Sequence, residues 1–497
     1  MRILFVASEV APFAKTGGLG DVVGALPKAL TRLGHDVRVI MPRYRAIDPK
    51  RWRLSLVSER QPVAVGMTAR DASLFESRLL GSDVPIWFIE QPDLFGRNGL
   101  YQESGVDYPD NLERFSFLCQ AVLRLLPPVK WQPDIVHCHD WQASLLLAHL
   151  VLTRAADPYW GAAARVLTIH NLAYQGLFDR ADWPVTNLPP HAFGIDGLEF
   201  YGQINCLKGG IVFAEKLSTV SPTYATEIQT PEFGCGLDGV LRGRRQDLAG
   251  ILNGIDPEEW NPSTDTHIAA KFSVDDLAGK AVCKLALQRQ QRLPQRHVPL
   301  IGMVQRLADQ KGIDIVLAVA EEMLAFDVQI VVLGTGEPSY HARLTELARR
   351  FPDRLAVNLA FDNALAHQIE AGSDMFLMPS KFEPCGLNQM YSMRYGSVPI
   401  VRRVGGLADT VVDVAPSTLQ AGSATGFVFD AYSPAALLET VRRAVNVFRD
   451  RATWYAVVRN GMRQDFSWDR SARAYVALYE QALADKRRAS AATSPVH

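Results

Sequence analysis

The chain has 497 residues, a net charge of −1 from 52 Lys plus Arg against 53 Asp plus Glu, and 48% hydrophobic against 21% charged residues. That length predicts two or three domains rather than one core, and the balance is that of a folded chain, not a disordered one. With no basic excess, neither nucleic acid nor an anionic membrane is an expected partner, so any anion site is local.

The first apolar run, Met1–Ala7, meets Glu9 at once. It is too short for a signal peptide and reads as a buried strand over Ile3–Ala7. Lys15-Thr16-Gly17-Gly18-Leu19-Gly20-Asp21 follows. A glycine-rich turn between a strand and a helix lets backbone N–H groups and a helix N-terminus approach an anion. A Lys beside two glycines fits that use better than surface decoration. The helix is predicted from about Asp21 to Leu33, because Val22, Val23, Leu26, Leu30 and Leu33 share one face and Gly34 supplies a stop. Val37–Met41 is the next strand. A β-α-β unit of this kind implies a parallel sheet with right-handed crossovers.

Asp134–Cys138 and Val166–Ile169 read as further buried strands. They end in His139-Asp140-Trp141 and His170-Asn171, and in open α/β sheets such strand ends face a ligand crevice. His170 is either a satisfied core histidine or a ligand contact, and its position at a strand end favours contact. Alternation along the strand puts His137 and His139 on one side and Cys138 on the other, which is poor metal geometry. No Asp-x-Asp pair occurs anywhere. No bound catalytic metal is expected. The lipophilic stretch Leu145–Leu152 is interrupted by His149 and is too short to span a bilayer. Six scattered cysteines without a Cys-x-x-Cys pair read as reduced thiols. A cytoplasmic protein is expected.

Turn residues over Ile251–Pro257 mark a domain boundary near residue 250; Asn253, in that turn, is counted among the candidate substrate-binding residues. Beyond it, strands over Leu300–Val304, Gln329–Leu333, Leu355–Ala360, Met375–Met378 and Val398–Val401 alternate with helical patterns. Arg306 and Lys311 stand five apart on the loop after the first of these strands. On their own they read as solvated surface cations. Beside the second glycine turn, Gly405-Gly406-Leu407, they read as a diphosphate clamp, Arg as a fork and Lys as a point charge. Ser380–Gln389 follows another buried strand and opens a helix. Glu383 is expected to project into the crevice, where a carboxylate accepts hydrogen bonds from sugar hydroxyls; the plainer role is to satisfy the helix dipole. Gly386 and Leu387 offer backbone N–H groups there, and Cys385 reads as a buried structural thiol. Ser433-Pro434 starts a helix. The Ala- and Ser-rich tail from about Lys486 is expected to fray.

Together these motifs resemble the bacterial glycogen synthase and plastid starch synthase family over essentially the whole chain. The resemblance is carried by Lys15–Leu19, His139–Trp141, His170–Gly176, Arg306 with Lys311-Gly312, and Glu383–Leu387 with Gln389. Asn388 stands where many members carry Thr, which touches only fine donor contacts. The resemblance implies an α/β chain of GT-B fold: two Rossmann-like, doubly wound lobes with the active site in the cleft between them. Residues 1–250 would form the acceptor-side lobe, 251–467 the nucleotide-sugar lobe, 468–485 a helix crossing back, and 486–497 a disordered tail. The implied activity is retaining transfer of glucose from ADP-glucose to the non-reducing end of an α-1,4-glucan such as glycogen, without cofactor or metal. Residue by residue, Arg306 and Lys311 would hold the ADP diphosphate. Lys15, Gly17 and Gly18 would line the donor phosphates. Glu383, His170 and the Cys385-Gly386-Leu387 backbone would hold the glucose. Asp140 and Asn171 would flank the sugar or acceptor, and Phe361 would be a platform for adenine. Alternatives left open are a related enzyme using UDP-glucose or another acceptor, a phosphorylase, and a non-catalytic glycan-binding relative.

Overall fold

Ile3, Leu4, Phe5 and Val6 are fully buried, and the strand they form, β1 (Arg2–Val6), sits in the interior of a nine-stranded sheet. Burying each such side chain contributes on the order of 1.5–3 kcal/mol. The structure is a computed structural model that describes residues 1–493. It divides into two units; the first takes Met1–Val220, Ala225–Gly254 and the chain from Trp468 onward.

The sheet of the first unit contains β1, β2 (Asp36–Pro42), β3 (Ser55–Val65), β4 (Thr68–Arg78), β5 (Pro85–Glu90), β6 (Ile135–His139), β7 (Ala164–Ile169), β8 (Lys216–Thr219) and β9 (Leu248–Gly250). Their spatial order is β9-β8-β7-β6-β1-β2-β5-β4-β3. Pairing is parallel from β9 to β5 and antiparallel for the β5-β4-β3 extension. The chain winds one way from β1 through β2 and the other way from β6 through β9. The direction therefore reverses between β1 and β6, and ligands bind at the carboxyl ends of strands flanking such a switch point.

Helix α1 covers Gly18–Arg32 and starts three residues before the predicted Asp21. Its apolar stripe is buried at Leu19, Val22, Val23, Leu26 and Leu30. The earlier start has a cause outside the helix: the Glu9 carboxylate accepts from the N–H groups of Thr16 (2.5 Å) and Gly17 (3.2 Å), just before the first turn. Helix α2 (Asp140–Leu152) follows β6 with no intervening loop. The terminal helix, Trp468–Thr493, packs on α1, β7 and β8. Ala472, Tyr475 and Tyr479 are fully buried there. This helix runs through 486–493, where fraying is expected from composition; just before that stretch Asp485 is held by Lys216 at 2.8 Å. Residues 494–497, the rest of that expected tail, lie outside the described residues.

The second unit holds Ile255–Ser467 and the short segment Ser221–Tyr224. That segment is anchored by Ser221 Oγ donating to Pro384 O (2.6 Å) and by Thr223 donating twice to Asp409. Its six-stranded sheet is parallel throughout: β10 (Leu300–Val304), β11 (Gln329–Leu333), β12 (Leu355–Asn358), β13 (Met375–Met378), β14 (Val398–Arg402) and β15 (Phe427–Phe429), in the order β12-β11-β10-β13-β14-β15. Val331, Ile369, Phe376, Val401 and Leu407 lie at the centre of its core. Here the direction reverses between β10 and β13, again a switch point.

Candidate active site

In the first unit the switch point carries a histidine and carboxylate cluster. Asp140 is the first residue of α2 and adopts φ +54°, the left-handed region that non-glycine residues seldom occupy outside constrained sites. That turn brings Oδ1 to the backbone N–H of His170, 2.7 Å away, at the end of β7. Burial lifts the Asp140 carboxyl to about 8; the N–H groups of His170 and Asn171 oppose the rise and the Glu9 carboxylate adds to it. His170 Nε2 and His139 Nδ1 lie 2.9 Å apart. Burial pushes His170 down to about 3 and His139 well below the usual histidine range. His139 is wedged between Phe5, with ring centroids 5.2 Å apart and stacked, and His137 at 4.2 Å. His137 is itself fixed by Tyr479 of the terminal helix (2.9 Å) and by Thr168 (2.6 Å).

Asn171 turns the chain: its Oδ1 accepts from Ala173 N at 3.1 Å. Gly176 is required by packing, since a Cβ there would lie 2.4 Å from the Trp141 ring and its φ is +64°. The His-Asn-Leu-Ala-Tyr-Gln-Gly segment is thus seated on the tryptophan that follows Asp140. Asn253 is buried, and its Oδ1 has no hydrogen-bond partner among the described residues. It precedes Gly254, which lies against Trp468. No described hydrogen bond ties it to the histidine cluster.

The first glycine turn is closed from below by Glu9, which is buried and accepts from Thr16 N, Thr16 Oγ1, Gly17 N and Tyr101 OH. At the turn expected to bring backbone N–H groups near an anion, those of Thr16 and Gly17 serve an internal carboxylate. Gly17 has another property. Its backbone is extended (φ −158°) and an added Cβ would meet nothing within 4 Å. Nothing in the fold demands glycine there, so the space lies open to a ligand. Lys15 Nζ reaches Asp21 at 2.6 Å and stays partly exposed.

In the second unit, the ends of β10 and β13 bring Lys311 and Glu383 together. Lys311 Nζ is 2.5 Å from Glu383 Oε2, which also accepts from Ser380 Oγ at 2.9 Å. Glu383 is buried and Lys311 nearly so. Glu383 therefore does not stand free in the crevice as the sequence suggests; it is locked to the cation. Arg306 is exposed, with Nη2 3.1 Å from Gln310 Oε1. Gln310 in turn ties this loop to the Glu383 loop through Lys381 N (2.8 Å) and Phe382 O (3.3 Å). Gly312 permits the close approach: a Cβ would sit 2.2 Å from Pro379 O.

Cys385 is buried. Gly386 has φ +70° and a Cβ there would strike Gln389, while Leu387 caps helix α3 (Asn388–Arg394). The Asn388 amide donates to Val304 O, binding the start of α3 to the end of β10. Gly405 and Gly406 open helix α4 (Gly405–Thr410), but they are buried under the Glu383–Cys385 backbone. A Cβ on either would come within 1.9 Å of a carbonyl oxygen, and Gly406 N already donates to Glu383 O (3.1 Å) and Pro384 O (3.2 Å). The second turn is therefore a close-packing device behind Glu383 and not an open anion site. Phe361 lies beyond the end of β12, 84% exposed, and makes no aromatic pair among the described residues. No described contact joins it to the Arg306–Glu383 set.

Among the described residues, no group of three or more His, Cys, Asp or Glu is arranged to hold a metal ion. No described helix is long and apolar enough to cross a membrane. Sequence reasoning missed Glu9, His139 as a partner of His170, and Ser380. Glu9 had a usable signal: a carboxylate just past the strand at the switch point and just before the glycine turn.

A family model for the starch synthase catalytic domain matches residues 2–243, and one for glycosyl transferases group 1 matches residues 286–456. Two doubly wound units with those matches define a glycosyltransferase of the GT-B class. The chain is 52% identical to the glycogen synthase of an Anaeromyxobacter species over 97% of its own length and 100% of that protein. It is 47% identical to glycogen synthase 1 of Methylococcus capsulatus, over 97% of each chain. Among solved structures it is similar to the catalytic domain of starch synthase IV from Arabidopsis thaliana bound to ADP and acarbose, with a TM-score of 0.90, 35% identity, and coverage of 97% of this chain and 99% of that one. The chain belongs to the glycogen synthase family.

Proposed function

We propose that the chain lengthens an α-1,4-glucan by moving glucose from ADP-glucose to the non-reducing end, with retained configuration, releasing ADP in the cytoplasm and using no metal ion. The names of the relatives support the glucan, and the ADP bound to the plant starch synthase supports the adenine nucleotide. The observation that carries the reading is the placement of Arg306 and Lys311 on the one loop after β10, at the second unit's switch point, with Gln310 tying that loop to the one that carries Glu383.

As the bond from C1 of glucose to phosphate breaks, negative charge grows on the diphosphate and positive character on the sugar. A guanidinium matches phosphate oxygens in pairs and an ammonium adds a point charge. Held in place beforehand, they stabilise that charge without reorganising. Lys15, Gly17 and Gly18 give the donor room and charge at the first turn. Phe361 presents an open ring for adenine. Glu383, His170 and the backbone from Cys385 to Leu387 orient the glucose, Asp140, Asn171 and Asn253 flank it, and closing the site against water favours transfer over hydrolysis.

The state of the carboxylates supports a route to retention. Burial keeps Asp140 largely protonated near neutral pH, Glu9 is engaged by four donors, and Glu383 is engaged by Lys311 and Ser380. None is a ready nucleophile. In the proposed path the acceptor hydroxyl enters on the face the phosphate leaves, bonds to C1, and gives its proton to a phosphate oxygen. Trapping of a glucosyl–enzyme adduct by mass spectrometry would rule the path out.

The functional test is ADP release from ADP-glucose against UDP release from UDP-glucose, each with and without glycogen. Glycogen-dependent release with preference for ADP-glucose is expected. Preference for UDP-glucose, or sugar binding with no nucleotide release, would overturn the proposal. Activity is expected to persist in excess EDTA, and a loss restored by added metal would contradict metal independence.

A further inference from the structure

His139 contacts His170, yet no motif in the sequence assigns it a task. The hydrogen bonds around it decide where two protons sit. His139 is fully buried and its Nε2 has no hydrogen-bond partner among the described residues. A proton on Nε2 would be an N–H group buried without an acceptor, and such orphan donors are rarer than unpaired acceptors. A proton on Nδ1 instead donates to His170 Nε2 at 2.9 Å. His137 does not compete for it, since both its ring nitrogens are engaged by Tyr479 and Thr168. His139 therefore carries its single proton on Nδ1.

His170 must then accept at Nε2. In a neutral imidazole the two nitrogens divide the roles, one donor and one acceptor. The proton of His170 is thereby assigned to Nδ1. We infer that His139 is a positioning residue: it holds His170 in the Nδ1–H tautomer, so that His170 meets a sugar hydroxyl as a hydrogen-bond donor and not as an acceptor. The inference rests on the proposed sugar contact of His170. The Phe5 and His137 rings packed against His139 keep it from turning away, and the chain of bonds reaches the terminal helix at Tyr479.

The test has two arms. The first is 15N NMR of the free, full-length enzyme labelled at histidine, with signals assigned through His139 and His170 variants. The Nδ1–H tautomer is expected for His170, and an Nε2–H tautomer overturns the inference whether or not substrate is ever turned over. The second arm compares His139→Asn, whose amide nitrogen can stand at the Nδ1 position, with His139→Leu, which has no donor. Loss of one such hydrogen bond is expected to lower kcat about tenfold in His139→Leu with little change in KM for the donor, while His139→Asn retains most of kcat. Equal kcat in the two variants overturns the inference. Should the wild-type chain release no nucleotide at all, the functional reading fails, and the tautomer measurement still decides this one.

Discussion

At the scale of single residues, the most unusual group is Asp140. Burial raises its carboxyl from the ordinary 3.8 to about 8. Between these values the folded chain keeps a proton that the unfolded chain has released. The folded state binds more protons there, so the residue's contribution to stability falls as pH rises from about 4 to about 8. Asp140→Asn removes that term and keeps an oxygen for the His170 N–H. Its melting temperature, relative to wild type, is expected to rise between about pH 5 and about pH 8.5 in scanning calorimetry. A difference that does not change with pH would contradict the protonated carboxyl. Lys311 and Glu383 form the complementary case. Removing either partner of a nearly buried ion pair leaves the other uncompensated, a loss of about 3–5 kcal/mol. Kinetic losses in Lys311→Ala therefore mix stability with chemistry, and Arg306, which is exposed, is the cleaner probe of the diphosphate.

At the scale of elements, the two Gly-Gly-Leu turns look alike in sequence and differ in physics. A loop that cradles an anion and a loop that packs tightly on another backbone both need glycine, so composition cannot separate them. The structure does. Space is open at Gly17, whereas Gly405 and Gly406 are pressed against the Glu383 and Cys385 carbonyls. Gly17→Ala is expected to leave thermal stability within about 0.5 kcal/mol of wild type while weakening donor binding. Gly406→Ala is expected to lower the melting temperature and displace the Cys385 backbone. A Gly17→Ala enzyme with unaltered KM for the donor would remove that glycine from the site. Buried strands were legible because β1, β6, β10 and β13 are short apolar runs closed by polar residues. The β3–β4 hairpin was not, since half of its residues are exposed and its buried positions form no continuous apolar run. The bond between His139 and His170 was equally illegible: each residue reads as a strand end, and only the parallel β6–β7 register, which sets His139 opposite Thr168, brings His170 two residues on within reach.

At the scale of the whole molecule, each unit places its chemistry where its winding reverses, which is why motifs distant in sequence collect at strand ends. The resemblance carried the fold class and the family. It left open which carboxylates are free, because burial and hydrogen bonding decide that, and neither is written in a motif. The terminal helix belongs to the first unit through Tyr479, the Lys216–Asp485 ion pair and Ser471, whose Oγ donates to Leu252 O. Ending the chain at Ser467 is expected to abolish turnover and to make the first unit sensitive to limited proteolysis, with second-unit fragments persisting. Full activity in the truncated chain would contradict this. The central claim is that fixed protein cations neutralise the departing diphosphate, and turnover of Arg306→Ala with saturating ADP-glucose and glycogen tests it most directly. A fall of about 10²–10³ in kcat is predicted, the size of one preorganised donor, with an unchanged melting temperature; near-wild-type turnover in a folded variant would contradict the account.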